Sequence, residues 1–183
     1  MKKRTSKEIF ADTLLDLSRT IPVDRISVKQ IVEESGLSLQ TFYNHFRDKQ
    51  DLIMWISRSE GERMISKMKD ENYGADELIL DNIRFYLERE EFMETALPHM
   101  HDYSIYARQS AETGYRMWSE LIIARYGQEV ITKEIDFYLK IFCYTTVLIL
   151  AEWKVINQDL SEEEILEYIK GVMPQKLKEL LLA

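Results

Sequence analysis

Between Ser38 and Phe46 a stretch of nine residues gathers two hydroxyls, two carboxamides, a phenol and an imidazole around Leu39, Phe42 and Phe46. Ser38, Gln40, Thr41, Tyr43, Asn44 and His45 donate and accept hydrogen bonds without strong charge, which suits base edges and phosphate oxygens better than bond cleavage. Catalysis would call for a nucleophile paired with a base, a phosphate-cradling glycine loop or a metal-ligand cluster, and the chain has none of these patterns. His45 stands far in sequence from the other histidines and reads as a phosphate or backbone contact. His99 and His101 are spaced i, i+2 and do not share a helix face, which argues against a metal. The single cysteine, Cys143, excludes an internal disulfide and a Cys-based zinc site, and its apolar neighbours make it a small buried hydrophobe. No cofactor is expected.

These polar groups can act together only if a helix presents them on one side. Phe42 and Phe46, four apart, supply the inward face of such a helix, and Ser38 is placed to cap it. Before it, Ser27-Val28-Lys29-Gln30 has capping-box spacing, Val28, Ile31 and Val32 share a face, and Gly36 suits the left-handed position that ends a short helix. An earlier helix is expected over Ser6 to Arg19, with Thr5 and Glu8 as its capping box and Ile9, Phe10, Thr13, Leu14 and Leu17 inward. Pro22 interrupts the chain after it. Asp48 is placed to cap a fourth helix reaching Lys69. Two short helices around a glycine turn, after a longer amphipathic one, have the geometry of a helix-turn-helix, whose second helix enters a major groove. An ordinary helical hairpin with a polar face would show the same spacing.

The residues Ile26 to Ser38 and Thr41-Phe42-Tyr43-Asn44-His45-Phe46-Arg47-Asp48-Lys49-Gln50-Asp51-Leu52 resemble the DNA-binding head of TetR/AcrR transcriptional regulators, a resemblance strong over residues 8–56. It implies phosphate contacts at Thr41, Tyr43, His45 and Lys49, with Thr41 also reaching bases. Ser27 would face a phosphate from the start of its helix. Leu39, Gln40 and Asn44 would read base edges, the amides because a carboxamide pairs bidentately with adenine. Leu39 departs from the polar or basic residue usual there and would contact a thymine methyl. Lys2, Lys3 and Arg4 form either a basic arm or a solvated tail.

The chain of 183 residues is 45% hydrophobic and 31% charged, with three prolines and six glycines, a mixture that reads as all-α. Its net charge of −8 is uneven: residues 1–49 carry nine basic against seven acidic residues, and the remainder 15 against 25. Opposite signs fit a DNA-contacting head, residues 1–49, and an acidic body that keeps off the phosphates; the resemblance implies that this body, residues 50–183, is a helical regulatory and dimerisation domain. No signal peptide is expected at Met1-Lys2-Lys3-Arg4, since Thr5, Ser6, Lys7 and Glu8 follow rather than an apolar stretch. The longest uncharged apolar-rich run, Ile141 to Ala151, is shorter than the roughly 18 residues of a membrane span, so a soluble cytoplasmic protein is expected.

In the second part, helices are expected over Ala75 to Glu90, Glu91 to Leu97, Ser104 to Tyr126, Thr132 to Asn157, Ser161 to Met173 and Gln175 to Leu182. Thr132 to Asn157 is apolar nearly all round, as would suit packing on its own core and on a second copy; a helix wholly internal to a monomer would read alike. The resemblance implies a homodimer through 132–157 and 161–182, bound to a pseudo-palindromic double-stranded DNA operator. It also implies a small-molecule effector of unknown identity among the aromatic helices, with Tyr86, Phe92, His99, Tyr103, Tyr106, Trp118 and Phe142 as pocket candidates, although plain core would look similar. The leading expectation is a repressor released from its operator by that ligand; the alternative is an interaction protein or co-regulator acting on another protein. Tyr144, Trp153 and the Ser161 to Glu164 cap are similar to those of a subgroup that includes dihydroxyacetone-kinase operon regulators, except that Thr145-Thr146 replace its usual glycine near 146.

Overall fold

In the computed structural model, capping side chains start the helices where residue spacing predicts them. Thr5 and Glu8 exchange hydrogen bonds ahead of α1 (Ser6–Ser18), Ser27 and Gln30 ahead of α2 (Val28–Ser35), and Ser161 and Glu164 ahead of α9 (Glu162–Val172). Ser38 alone caps α3 (Leu39–His45), and Asp48 Oδ1 accepts the Asp51 N–H at 2.8 Å in the first turn of α4 (Lys49–Lys67). The other helices are α5 (Ala75–Leu87), α6 (Glu90–Ala96), α7 (Tyr103–Tyr126), α8 (Lys133–Ala151) and α10 (Gln175–Leu181), with 3-10 turns at Val23–Arg25 and Gln128–Val130. The structure describes residues 4–68, 70, 73–96, 103–151 and 160–182, without the side chains of Tyr103 and Ala151. No strand occurs among them. The expected helix ends at Lys69 and Leu97 and the stretch 152–157 lie outside the described residues.

The residues form two compact units: Met1–Ser57 with Arg89–Tyr103, and Arg58–Glu88 with Ser104–Ala183. In the first, the inward line of α1 is Phe10, Ala11, Leu14 and Ser18, while Ile9, Thr13 and Leu17 are only half-buried. The difference from the expected stripe has a packing cause: α1 is covered by α2, α3 and α6, and the faces these helices offer select the 10–14–18 line. Phe10 meets Phe42 edge-on with ring centroids 5.2 Å apart, a favoured aromatic geometry. Ile31 of α2 is fully buried beside them.

In the second unit, α5 packs on α8 and α9, and α8 on α10. Arg84 Nε donates to Glu162 at 2.9 Å and Lys170 Nζ to Asp76 at 3.1 Å, two ion pairs between α5 and α9. At the junction of α4 and α5, Asp81 accepts from Lys67 at 2.5 Å and from the Tyr73 hydroxyl at 2.8 Å. Burial works against the Asp81 charge, but those hydrogen bonds outweigh it and hold the carboxyl below its usual range; burial and the same bond push the Tyr73 phenol up.

Gly36, at the end of α2, has φ +67° with open space around its missing Cβ, so only backbone strain opposes a side chain there. Gly171 in α9 also has open space and no positive φ. Gly36→Ala is expected to destabilise the protein by about 1–2 kcal/mol, whereas Gly171→Ala stabilises it by about 0.4–1 kcal/mol. Denaturant midpoints of the two variants would move in opposite directions; a shared direction would contradict the conformational argument.

Candidate nucleic-acid interface

A helix of seven residues has too few internal hydrogen bonds to persist alone, so α3 depends on its anchors. Phe42 is fully buried and Phe46, at the C-cap, nearly so. Their rings lie 5.6 Å apart, and Phe46 also meets Trp55 of α4 at 6.0 Å. With that side committed, the rest of α3 faces out: Leu39 is 49% and Tyr43 53% exposed, and Gln40, Asn44 and His45 are exposed as well. Tyr43 stands edge-on to Phe42 at 5.6 Å, so its ring is supported at the base.

The polar atoms on this face are already ordered. Ser38 Oγ accepts the Thr41 N–H at 3.0 Å and lies 2.8 Å from Thr41 Oγ1. Gln40 Nε2 donates to Asn44 Oδ1 at 2.9 Å across one turn. Each of these amides uses one polar atom in that bond, and together they offer a carbonyl on Gln40 and an NH2 on Asn44. At the start of α2, Ser27 spends its hydroxyl on Gln30, accepting the Gln30 N–H at 3.2 Å and donating to Oε1 at 2.9 Å. Helix geometry leaves the next amides, those of Val28 and Lys29, without an intrahelical partner and pointing off the N-terminus.

Lys49 is placed differently from the other residues of the expected DNA-binding set. Its ammonium donates to the carbonyls of Val23, Asp24 at 3.1 Å and Ile26 at 2.6 Å, which accounts for its three donors. Burial lowers its pKa, opposed by the charge of Asp24. The 23–26 turn is bound a second time by Thr95 of α6, whose Oγ1 accepts the Val23 N–H at 3.1 Å. Sequence reasoning missed Thr95, because a lone threonine in an acidic helix carries no signal of a partner 72 residues away. Among the surrounding cations, Arg4 pairs with Asp12 at 3.2 Å, Lys29 lies 3.6 Å from Glu33, and Lys7 sits over the Phe46 ring. Lys2 and Lys3 lie outside the described residues.

Of the pocket candidates, two pairs are brought together. The Tyr86 and Tyr106 hydroxyls are 3.2 Å apart in a buried hydrogen bond, and Trp118 meets Phe142 edge-on at 5.8 Å. Phe92 is buried on α6 and belongs to the first unit. His99, His101 and the Tyr103 side chain lie outside the described residues. Cys143 is buried, and that burial pushes its thiol up to about 12. Among the described residues no group of three or more His, Cys, Asp or Glu could hold a metal. Nor is any of their helices long and apolar enough to cross a membrane.

Residues 19–54 match the family described as bacterial regulatory proteins, tetR family. Over 95 residues the chain is 30% identical to the HTH-type dhaKLM operon transcriptional activator DhaS of Lactococcus lactis subsp. lactis, covering 51% of this chain and 50% of that protein. Over 56 residues it is 32% identical to an HTH-type transcriptional regulator of Staphylococcus aureus, covering 30% of each. The matches therefore span half or less of these curated relatives. Among solved structures, the dihydroxyacetone kinase operon activator DhaS has a TM-score of 0.67 at 19% identity, covering 96% of this chain and 97% of that one. The TetR family repressor AlkX from Dietzia sp., implicated in biodegradation of n-alkanes, has a TM-score of 0.64 at 11% identity, covering 98% and 99%. At such identities the structural likeness speaks for the fold.

The placement of Lys49 has a measurable consequence. Lys49→Met strips three carbonyls of their donor and is expected to destabilise the protein by about 1–3 kcal/mol in the absence of DNA. Thermal or denaturant unfolding measures this directly. A neutral effect on stability would return Lys49 to the role of a solvent-facing phosphate contact.

Proposed function

We propose that the protein, whose residues 19–54 match the tetR family of bacterial regulatory proteins, is a homodimeric transcription regulator that inserts α3 into the major groove of a pseudo-palindromic operator. The observation that carries this reading is the outward face of α3, anchored by the buried Phe42 and Phe46 and hydrogen-bonded within itself. On it, Leu39, Gln40 and Asn44 read base edges. The Gln40 carbonyl and the Asn44 NH2 match the N6–H donor and N7 acceptor of adenine, and Leu39 suits a thymine methyl. Ser38 orients Thr41, and Thr41, Tyr43 and His45 hold phosphates beside the helix, with the Val28 and Lys29 amides at the α2 start doing the same from the other side. Ser27 fixes that helix start. Lys49 serves the interface by bracing the turn before it.

A second copy of the chain is the partner that α8 fits. Phe137, Ile141, Tyr144 and Leu148 follow each other at i, i+4, i+7 and i+11 and are 41–59% exposed, while Ile135, Leu139, Phe142 and Cys143 are buried. Tyr168 and Val172 of α9, also exposed, repeat the i, i+4 spacing. A row of large apolar side chains in water favours burial, and a twofold pairing lets the same row cover itself. The twofold then sets two copies of α3 on successive turns of the duplex. The buried aromatics of the second unit are the place for a small effector, which acts by favouring a conformation that does not bind the operator by a few kcal/mol.

The family's commoner habit supports repression. A reading as an activator has its own support, since the DhaS proteins similar to this chain are named activators. A reporter behind the gene's own upstream region separates them: its output falls when the chain is supplied if it represses, and rises if it activates.

Gel shift or fluorescence anisotropy with that upstream duplex tests the DNA assignment. Tyr43→Ala is expected to lower affinity at least about tenfold, or 1.4 kcal/mol, with little change in melting temperature because the ring is half exposed. Tight binding that survives the change would remove Tyr43 from the interface. For the dimer, Ile141→Glu places a charge in the paired surface and should convert the sedimenting species from dimer to monomer; an unchanged dimer would show that α8 is not the interface.

A further inference from the structure

The turn Val23–Arg25 is held from two sides by residues 26 and 72 positions away in the chain. Lys49 gathers its carbonyls, and Thr95 takes the Val23 amide. The Thr95 hydroxyl hydrogen is itself directed to the Glu91 carbonyl at 2.8 Å, one turn back along α6, which aims the oxygen's lone pairs at Val23. Val23 and Ile26 are each 1% exposed while Asp24 and Arg25 between them face solvent, so two apolar side chains anchor the turn. Phe92, Met93 and Ala96 are buried, and they seat α6 against the turn and α1. Ile26 leads directly into Ser27, the residue that starts α2, and α2 packs on α3. Although α5 and α7 belong to the other unit, α6 belongs to this one.

We propose that Thr95 is a positioning residue for the DNA-binding face: by accepting the Val23 N–H it fixes where α2 begins, and through α2 the pose in which α3 meets a duplex. This rests on the DNA-binding reading given above. Threonine is not needed by α6 for helix formation, since its β-branched side chain back-bonding to i−4 is mildly unfavourable in a helix. What it supplies is an acceptor at a fixed height above Val23. Removing that oxygen takes the acceptor from the part-buried amide of Val23, and the turn must shift to find another.

The test compares Thr95→Val, which keeps the shape and loses the oxygen, with Thr95→Ser, which keeps the oxygen and loses a methyl. Both are made in the full chain and measured at a temperature where each is folded. Amide hydrogen exchange is read by NMR, and affinity for the upstream duplex by anisotropy across a salt series. In Thr95→Val the Val23 amide should exchange roughly tenfold faster, and affinity should fall roughly tenfold, equivalent to about 1.4 kcal/mol. The salt slope should stay unchanged, because no phosphate contact is lost. Thr95→Ser should restore both readouts. Wild-type affinity in Thr95→Val, or a serine variant behaving like the valine one, would overturn the proposal, the latter because packing rather than the oxygen would then matter. If the wild-type chain does not bind the duplex, the DNA reading fails by itself and exchange decides alone. Loosening in Thr95→Val that spreads to the Gln30 and Ile31 amides upholds the positioning of α2, and loosening confined to Val23 overturns it.

Discussion

Burial of Phe42 and Phe46 against Phe10 is the constraint on which the first unit depends. An isolated helix of seven residues does not hold its shape in water, because nucleation costs more than so few hydrogen bonds return. Two aromatic rings at i and i+4 change that balance: they give α3 an apolar face large enough to be held by α1 and α4, and they leave the opposite face no structural duty. Polar residues there are free to be chosen for what they touch. The exposed Tyr43 takes its support from the same residue, its ring standing edge-on to that of Phe42.

The same economy governs the turn before α2. A 3-10 turn that starts at a buried valine and leads into a buried isoleucine has part-buried backbone groups that gain from a partner. Lys49 meets this need with an ammonium whose three donors match three carbonyls, and Thr95 supplies the acceptor for the amide. A lysine that resembles a phosphate contact in sequence is thus drawn inward by unpaired carbonyls. Burial lowers the ammonium's pKa there, and the charge of the nearby Asp24 opposes it, while the three carbonyls accept its hydrogen bonds.

In the second unit, one helix carries two apolar faces. Ile135, Leu139, Phe142 and Cys143 of α8 are buried, while Phe137, Ile141, Tyr144 and Leu148 are exposed. The ion pairs between α5 and α9, by contrast, are partly exposed, so solvent screens them and they add little to stability. Cys143 fits the same picture: its thiol, held neutral by burial, packs as an apolar group near Gly114.

Local chemistry made much of this chain legible from its sequence. The caps at Thr5, Ser27, Ser38 and Ser161, the left-handed stop at Gly36 and the inward pair Phe42 and Phe46 were readable because each depends on residues three or four apart, within reach of one helical turn. The polar face of α3 followed from the same pattern. What the sequence could not determine were contacts between distant residues whose side chains have several roles. The inward line of α1 was set by the helices that cover it. The three-carbonyl grip of Lys49 and the bond from Val23 to Thr95 exist only once α4 and α6 have folded beside the turn. Nothing in the spacing of a lysine or a threonine says which buried backbone group will need it, since that need arises from burial, and burial is decided by the tertiary structure.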